Sequence, residues 1–191
     1  MNKEIKKEIF TIPNLLSLFR IALIPVYAYI YLNAAETKDY ILAAVILAVS
    51  TITDFFDGVI ARKYHMITRL GKMLDPFADK ATQGILMICL GFKYWEMWVL
   101  FGMFVLKEGF MLAMGIFNFR KGRMLKKALF AGKICTTVLF VSMIVLILLP
   151  DLKKEIVYIF LGLCAIFMMI SFVEYFLQYF KRQDQIENII K

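Results

Sequence analysis

The stretch Thr51 to Thr82, TITDFFDGVIARKYHMITRLGKMLDPFADKAT, places four aspartates in an otherwise apolar chain. Asp54, Asp57, Gly58 and Ala61 stand at i, i+3, i+4 and i+7, one face of a helix. Gly71, Asp75 and Asp79 stand at i, i+4 and i+8, one face of a second helix. Antiparallel packing would bring the two rows face to face. Four carboxylates converging in a partly dry site repel one another. Each then needs a proton, a Lys or Arg partner, or a divalent cation. Hard oxygen donors favour Mg²⁺ or Mn²⁺. Two ions held by shared carboxylates form a clamp suited to displacement at phosphorus. Ion pairing with Arg62, Lys72 and Lys80 is the plainer alternative, but four acids in register on two faces weigh against it.

The basic residues point the same way. Arg62, Arg69 and Lys72 surround the acids, and Lys133 stands early in a later apolar run, in AGKICTT. Arg20 lies about two turns inside the first apolar run, in PNLLSLFR, where an arginine is costly unless it faces a polar cavity. Carboxylates and arginines at one membrane face suggest a metal-bound phosphate substrate. There is no GxxxxGK phosphate loop and no His–Glu metal motif. The only histidine, His65, sits in a basic loop, which argues against a His-based triad. Cys89, Cys135 and Cys164 lie within apolar runs without metal or redox spacing and read as packing residues.

The elements that must carry these residues are membrane helices. Of 191 residues, 61% are hydrophobic, and the mean hydropathy is +0.72. That is above the apolar share of ordinary soluble domains. The pattern predicts an all-α integral membrane protein of six transmembrane helices. They run Ile12–Leu32, Tyr40–Ala61, Gly71–Gly91, Trp95–Phe119, Ala128–Leu149 and Ile156–Phe180. The first span does not read as a cleaved leader, being long and containing Asn14 and Arg20. Two starts suit the third helix: Asp75 as N-cap with Pro76 at N1, or Thr68 as cap with Pro76 inside. The whole chain, 1–191, reads as one domain, and 1–11 can form a surface amphipathic helix with Ile5 and Ile9 on one face. Lys and Arg crowd the N-terminus, the second and fourth loops and the C-terminus, which predicts both termini in the cytoplasm. The aspartates then lie at the cytoplasmic side. The net charge of +8 suits an anionic leaflet; its scatter over short loops argues against nucleic acid as a partner.

The run Asp54-x-x-Asp57-Gly58-x-x-Ala61-Arg62, eight residues, then Gly71-x-x-x-Asp75-x-x-x-Asp79 resembles the signature of the CDP-alcohol phosphotransferases at all eight positions. The six-span hydropathy agrees over nearly the whole chain. The stretches IPNLLSLFRIALIP, LDPFADK and GKICTT are similar to family members whose acceptor is glycerol 3-phosphate. Members using phosphatidylglycerol have similar stretches. Lys107-Glu108 stands where the glycerol 3-phosphate members usually show Arg-Glu.

The resemblance implies transfer of a phosphatidyl group from CDP-diacylglycerol to an alcohol, with release of CMP, at a cell membrane. It implies that Asp54, Asp57, Asp75 and Asp79 hold two Mg²⁺ or Mn²⁺ ions, with Asp79 also the base on the acceptor hydroxyl. It places Asp54, Gly58, Ala61, Arg62 and Gly71 around the nucleotide. The acceptor phosphate would fall to Arg20, Arg69, Lys107, Arg120 or Lys133. Many relatives are homodimers. A cation transporter using the acids as its ion site is the competing class. Against it, the four aspartates gather at one face and not at mid-bilayer, where transport sites usually lie.

Overall fold

A computed structural model describes residues 11–64, 68, 71–120 and 130–190. Within its helices the side chains of 54, 55, 57–59, 61, 62, 72, 73, 118–120, 130 and 178–190 lie outside the described set. Among the described residues six helices follow in order: α1 Ile12–Leu32, α2 Thr37–Lys63, α3 Gly71–Gly91, α4 Met97–Arg120, α5 Phe130–Leu148 and α6 Lys154–Ile190. No strand occurs among those residues.

The first and third helices coincide with the apolar runs read from the sequence. The second begins earlier, at Thr37, because Asp39 accepts the amides of Ala35 and Glu36 and so caps the helix before its apolar face starts. The sixth runs past Phe180 to Ile190. The tail KRQDQIENII ends the hydropathy but contains no Gly or Pro to end a helix. The proposed surface helix at 1–11 falls almost wholly outside the described residues.

Four of the described helical stretches are long and apolar enough to cross a membrane: Ile12–Leu32, Met97–Phe117, Ala131–Leu148 and Lys154–Leu177. This is the pattern of a multi-pass membrane protein. Helices α2 and α3 are less apolar because they carry the acids and their basic neighbours. Even so, α2 exposes Ile41, Val45, Val49, Ile52 and Phe56, spaced three or four apart as an apolar stripe.

The chain divides into two units, Met1–Lys93 with Ile147–Pro150 and Tyr94–Leu146 with Asp151–Lys191. In the first, α1 packs against both α2 and α3. Its core includes Tyr27, Ala43, Leu47, Ala78, Leu86 and Leu90. In the second, α4 packs on α6, where the Phe110 ring meets Phe172 edge-on at 5.5 Å. Cys89, Cys135 and Cys164 are buried and form no disulfide, as packing residues would.

Candidate active site

The best-defined polar feature is a ladder between α1 and α3. On α1, Asn14, Ser17 and Arg20 recur every third residue, and all three are buried. Opposite them stand Thr68, Gly71, Asp75 and Asp79. Each rung is a hydrogen bond. Asn14 Nδ2 donates to Thr68 Oγ1 at 3.0 Å. Ser17 Oγ donates to Asp75 Oδ1 at 2.6 Å. Arg20 Nη1 donates to Asp79 Oδ1 at 2.5 Å. The last two are charge-assisted, the stronger kind.

Thr68 settles how α3 begins. Its Oγ1 accepts the Gly71 amide at 2.9 Å, as a capping hydroxyl does, and Pro76 lies inside the helix. Asp75 is therefore not the cap; it projects from the helix body. A β-carbon at Gly71 would sit 2.6 Å from Asn14 Oδ1, so the glycine has a packing reason: it admits α1. Beyond Arg20 and Asp79 a narrow crevice between α1, α2 and α3 is lined by Leu23, Tyr27, Leu47, Ser50 and Thr82 among others.

The expected site residues fall into three groups. Gly71, Asp75, Asp79 and Arg20 are brought together. Asp54, Asp57, Gly58, Ala61 and Arg62 lie in α2, and Arg120 ends α4, but their side chains are outside the described set, as is Arg69 altogether. The facing of the two acid rows thus lies partly outside it; what meets the α3 row is α1. Lys107 and Lys133 belong to the second unit. Lys107 is buried and donates to Glu108 Oε1 at 2.6 Å, while Lys133 is exposed on α5. Asn14 and Ser17 did not stand out as site residues in the sequence. Their three-residue spacing with Arg20 in an apolar helix was the available signal.

The chemistry of the donors fits a hard divalent cation. Asp75 and Asp79 offer only carboxylate oxygens, one helical turn apart. Among the described residues no three His, Cys, Asp or Glu gather as a metal cluster. A complete set would need the α2 acids.

An all-helical, multi-pass membrane protein with a row of acids braced by a buried arginine defines a narrow class. The family model of the CDP-alcohol phosphatidyltransferases matches residues 10–176, and the chain belongs to that family. The family acts on a CDP-linked alcohol and an alcohol acceptor, generally with a divalent metal. Among similar curated proteins is a CDP-diacylglycerol–glycerol-3-phosphate 3-phosphatidyltransferase of Rickettsia bellii (strain RML369-C), 48% identical over 80 residues. That alignment covers 41% of this chain and 43% of the relative. Proteins of the same name from Escherichia coli (strain K12) and Shigella boydii serotype 4 (strain Sb227) are 40% identical over 90 residues, 47% of this chain and 49% of theirs. The chain thus spans about half the length of the curated relatives it matches, or less.

Proposed function

We propose that the protein transfers the phosphatidyl group of CDP-diacylglycerol to glycerol 3-phosphate, releasing CMP and forming phosphatidylglycerophosphate. The observation that carries this is the α3 row. Asp75 and Asp79 stand on one face of α3 and are bonded from α1, within a run that resembles the family signature at all eight positions. The names of the similar proteins support glycerol 3-phosphate as the acceptor.

In this reading both units act as one domain over 1–191. All six helices cross a cell membrane, with both termini and the site on the cytoplasmic side, where the basic loops lie. Asp54, Asp57, Asp75 and Asp79 would hold two Mg²⁺ or Mn²⁺ ions, which would supply positive charge to the pyrophosphate and the departing CMP. Asp54, Gly58, Ala61, Arg62 and Gly71 line the nucleotide. The acceptor oxygen forms a bond to the phosphorus that bears diacylglycerol, and the bond from that phosphorus to CMP breaks. Asp79 takes the hydroxyl proton. Of the five candidates for the acceptor phosphate, Arg20 is already bonded to Asp79, which leaves Arg69, Lys107, Arg120 or Lys133. The protein acts as a homodimer.

A second reading keeps the chemistry and changes the acceptor to phosphatidylglycerol. It is favoured by the state of Arg20 and Lys107, both buried and already bonded to carboxylates. An acceptor screen decides. Purified protein with CDP-diacylglycerol and Mg²⁺ is offered glycerol 3-phosphate, phosphatidylglycerol, inositol phosphate and serine, and CMP release is measured. Release with glycerol 3-phosphate is expected. Release with phosphatidylglycerol alone would replace the first reading by the second, and release with none would remove both.

A further inference from the structure

We propose that α1 is a brace for the α3 acids, in which Arg20 positions Asp79 and Ser17 positions Asp75; this rests on the phosphatidyl-transfer reading above. The Arg20–Asp79 pair is lopsided. The Arg20 side chain keeps 3% of its surface, and the Asp79 side chain keeps 46%. The cation is sunk in the helix seam and the acid is presented outward.

A buried guanidinium is costly unless acceptors satisfy it. An arginine serving only the membrane surface would sit near a helix end with its head in water. A phosphate seeking Arg20 would have to enter a closed seam and displace Asp79. Arg20 therefore acts through Asp79 and not by touching the acceptor. Its rigid, planar head fixes one carboxylate oxygen at 2.5 Å while nearly half of the Asp79 side-chain surface stays open.

Ser17 repeats the pattern one rung away. Its hydroxyl is fully buried and has two acceptors within reach, Asp75 Oδ1 at 2.6 Å and the Pro13 carbonyl at 3.1 Å. With one proton to give, the shorter and charged contact wins. Asn14 completes the brace at the helix start through Thr68. The acids thus have their orientation set by a third helix, outside the two that carry the signature.

The test uses the purified full chain with CDP-diacylglycerol and the acceptor identified in the screen. It reads kcat and KM separately for wild type, Arg20→Gln, Arg20→Lys and Ser17→Ala, with circular dichroism to check folding. Misplacing a reacting group by about 1 Å costs roughly 10²-fold, so Arg20→Gln should lose about that much kcat. Its KM for the acceptor should stay within about twofold, because no substrate contact is lost. Arg20→Lys should recover part of the loss, keeping charge and a donor but not the fork. Ser17→Ala should lose about tenfold in kcat, as removal of an outer-shell partner does.

A raised acceptor KM at preserved kcat would make Arg20 a phosphate ligand and overturn the proposal. Wild-type kcat in Arg20→Gln would overturn it while leaving the transferase reading intact. No CMP release by wild type with any acceptor would sink both. Should Arg20→Gln fail to fold, wild-type kcat in both Arg20→Lys and Ser17→Ala overturns the brace equally.

Discussion

Gly71 stands so close to Asn14 that a β-carbon at residue 71 would lie 2.6 Å from Asn14 Oδ1 and 3.0 Å from Thr68 Oγ1. Both neighbours are short side chains bonded to each other, so neither can simply swing aside. Gly71→Ala should destabilise the protein by about 1–3 kcal/mol, the usual cost of forcing extra volume into a packed seam. Asn14→Ala removes the nearer obstacle, so the double variant should melt higher than the two single losses added together imply. Thermal melting in detergent measures both. Strict additivity would show that the two residues do not meet.

Asp39 offers a pH test remote from the site. Its carboxylate accepts the amides of Glu36 and Ala35 at 3.0 Å each, and these bonds, with Lys38 nearby, hold its pKa below the ordinary carboxylate range. A lowered folded-state pKa means stability that is complete above the unfolded pKa and is lost as pH falls through the folded one. Wild type should therefore melt above Asp39→Asn at neutral pH. The gap should shrink as the pH is taken down through the carboxylate range. A gap constant with pH would show that the charge on Asp39 does not support the start of α2.

Much of this arrangement was legible in the sequence, for a definable reason. Apolar runs bounded by polar loops locate helices because the bilayer demands about 20 apolar residues. Hence α1 and α3 were read with their observed ends. Helix ends set by side-chain chemistry were less legible. Asp39 extended α2 backwards, and the polar tail carried α6 beyond its apolar stretch. In the site, spacing grouped Asp75 and Asp79 on one face but could not show what faces them. Arg20 was conspicuous as a charge. Asn14 and Ser17 are common residues whose meaning comes only from α1 lying against α3.

Lys107 and Glu108 make a second buried test. They are sequence neighbours in α4, and neighbours on a helix point apart. Even so, Lys107 Nζ reaches Glu108 Oε1 at 2.6 Å, the side chains retaining 5% and 20% of their surface. Glu108→Gln leaves a buried ammonium short of its counter-charge and should cost about 3 kcal/mol of stability. Lys107→Met with Glu108→Gln removes both charges and should return most of that loss. The same variants read the acceptor site. If Lys107 holds the acceptor phosphate, Lys107→Met raises the acceptor KM with kcat nearly kept. Lowered stability with an unchanged KM would assign the lysine to the fold alone.

Asp57 separates metal ligation from folding. In the proposed site it shares a helical face with Asp54, so its charge is unfavourable until a cation neutralises it. Asp57→Asn keeps the size of the side chain and removes that charge. Without metal, the variant should therefore melt at or slightly above the wild type. With Mg²⁺ or Mn²⁺ added, wild type should gain stability in proportion to the logarithm of metal concentration, since binding favours the folded state. The variant should gain much less. Its kcat for CMP release should fall by about 10³-fold, the upper range for removing one group that stabilises developing charge. Melting with and without metal distinguishes this from simple misfolding, which would lower both curves. A variant that keeps the metal-induced rise and near-normal turnover would remove Asp57 from the metal set, leaving the α3 acids to hold the cation with other partners.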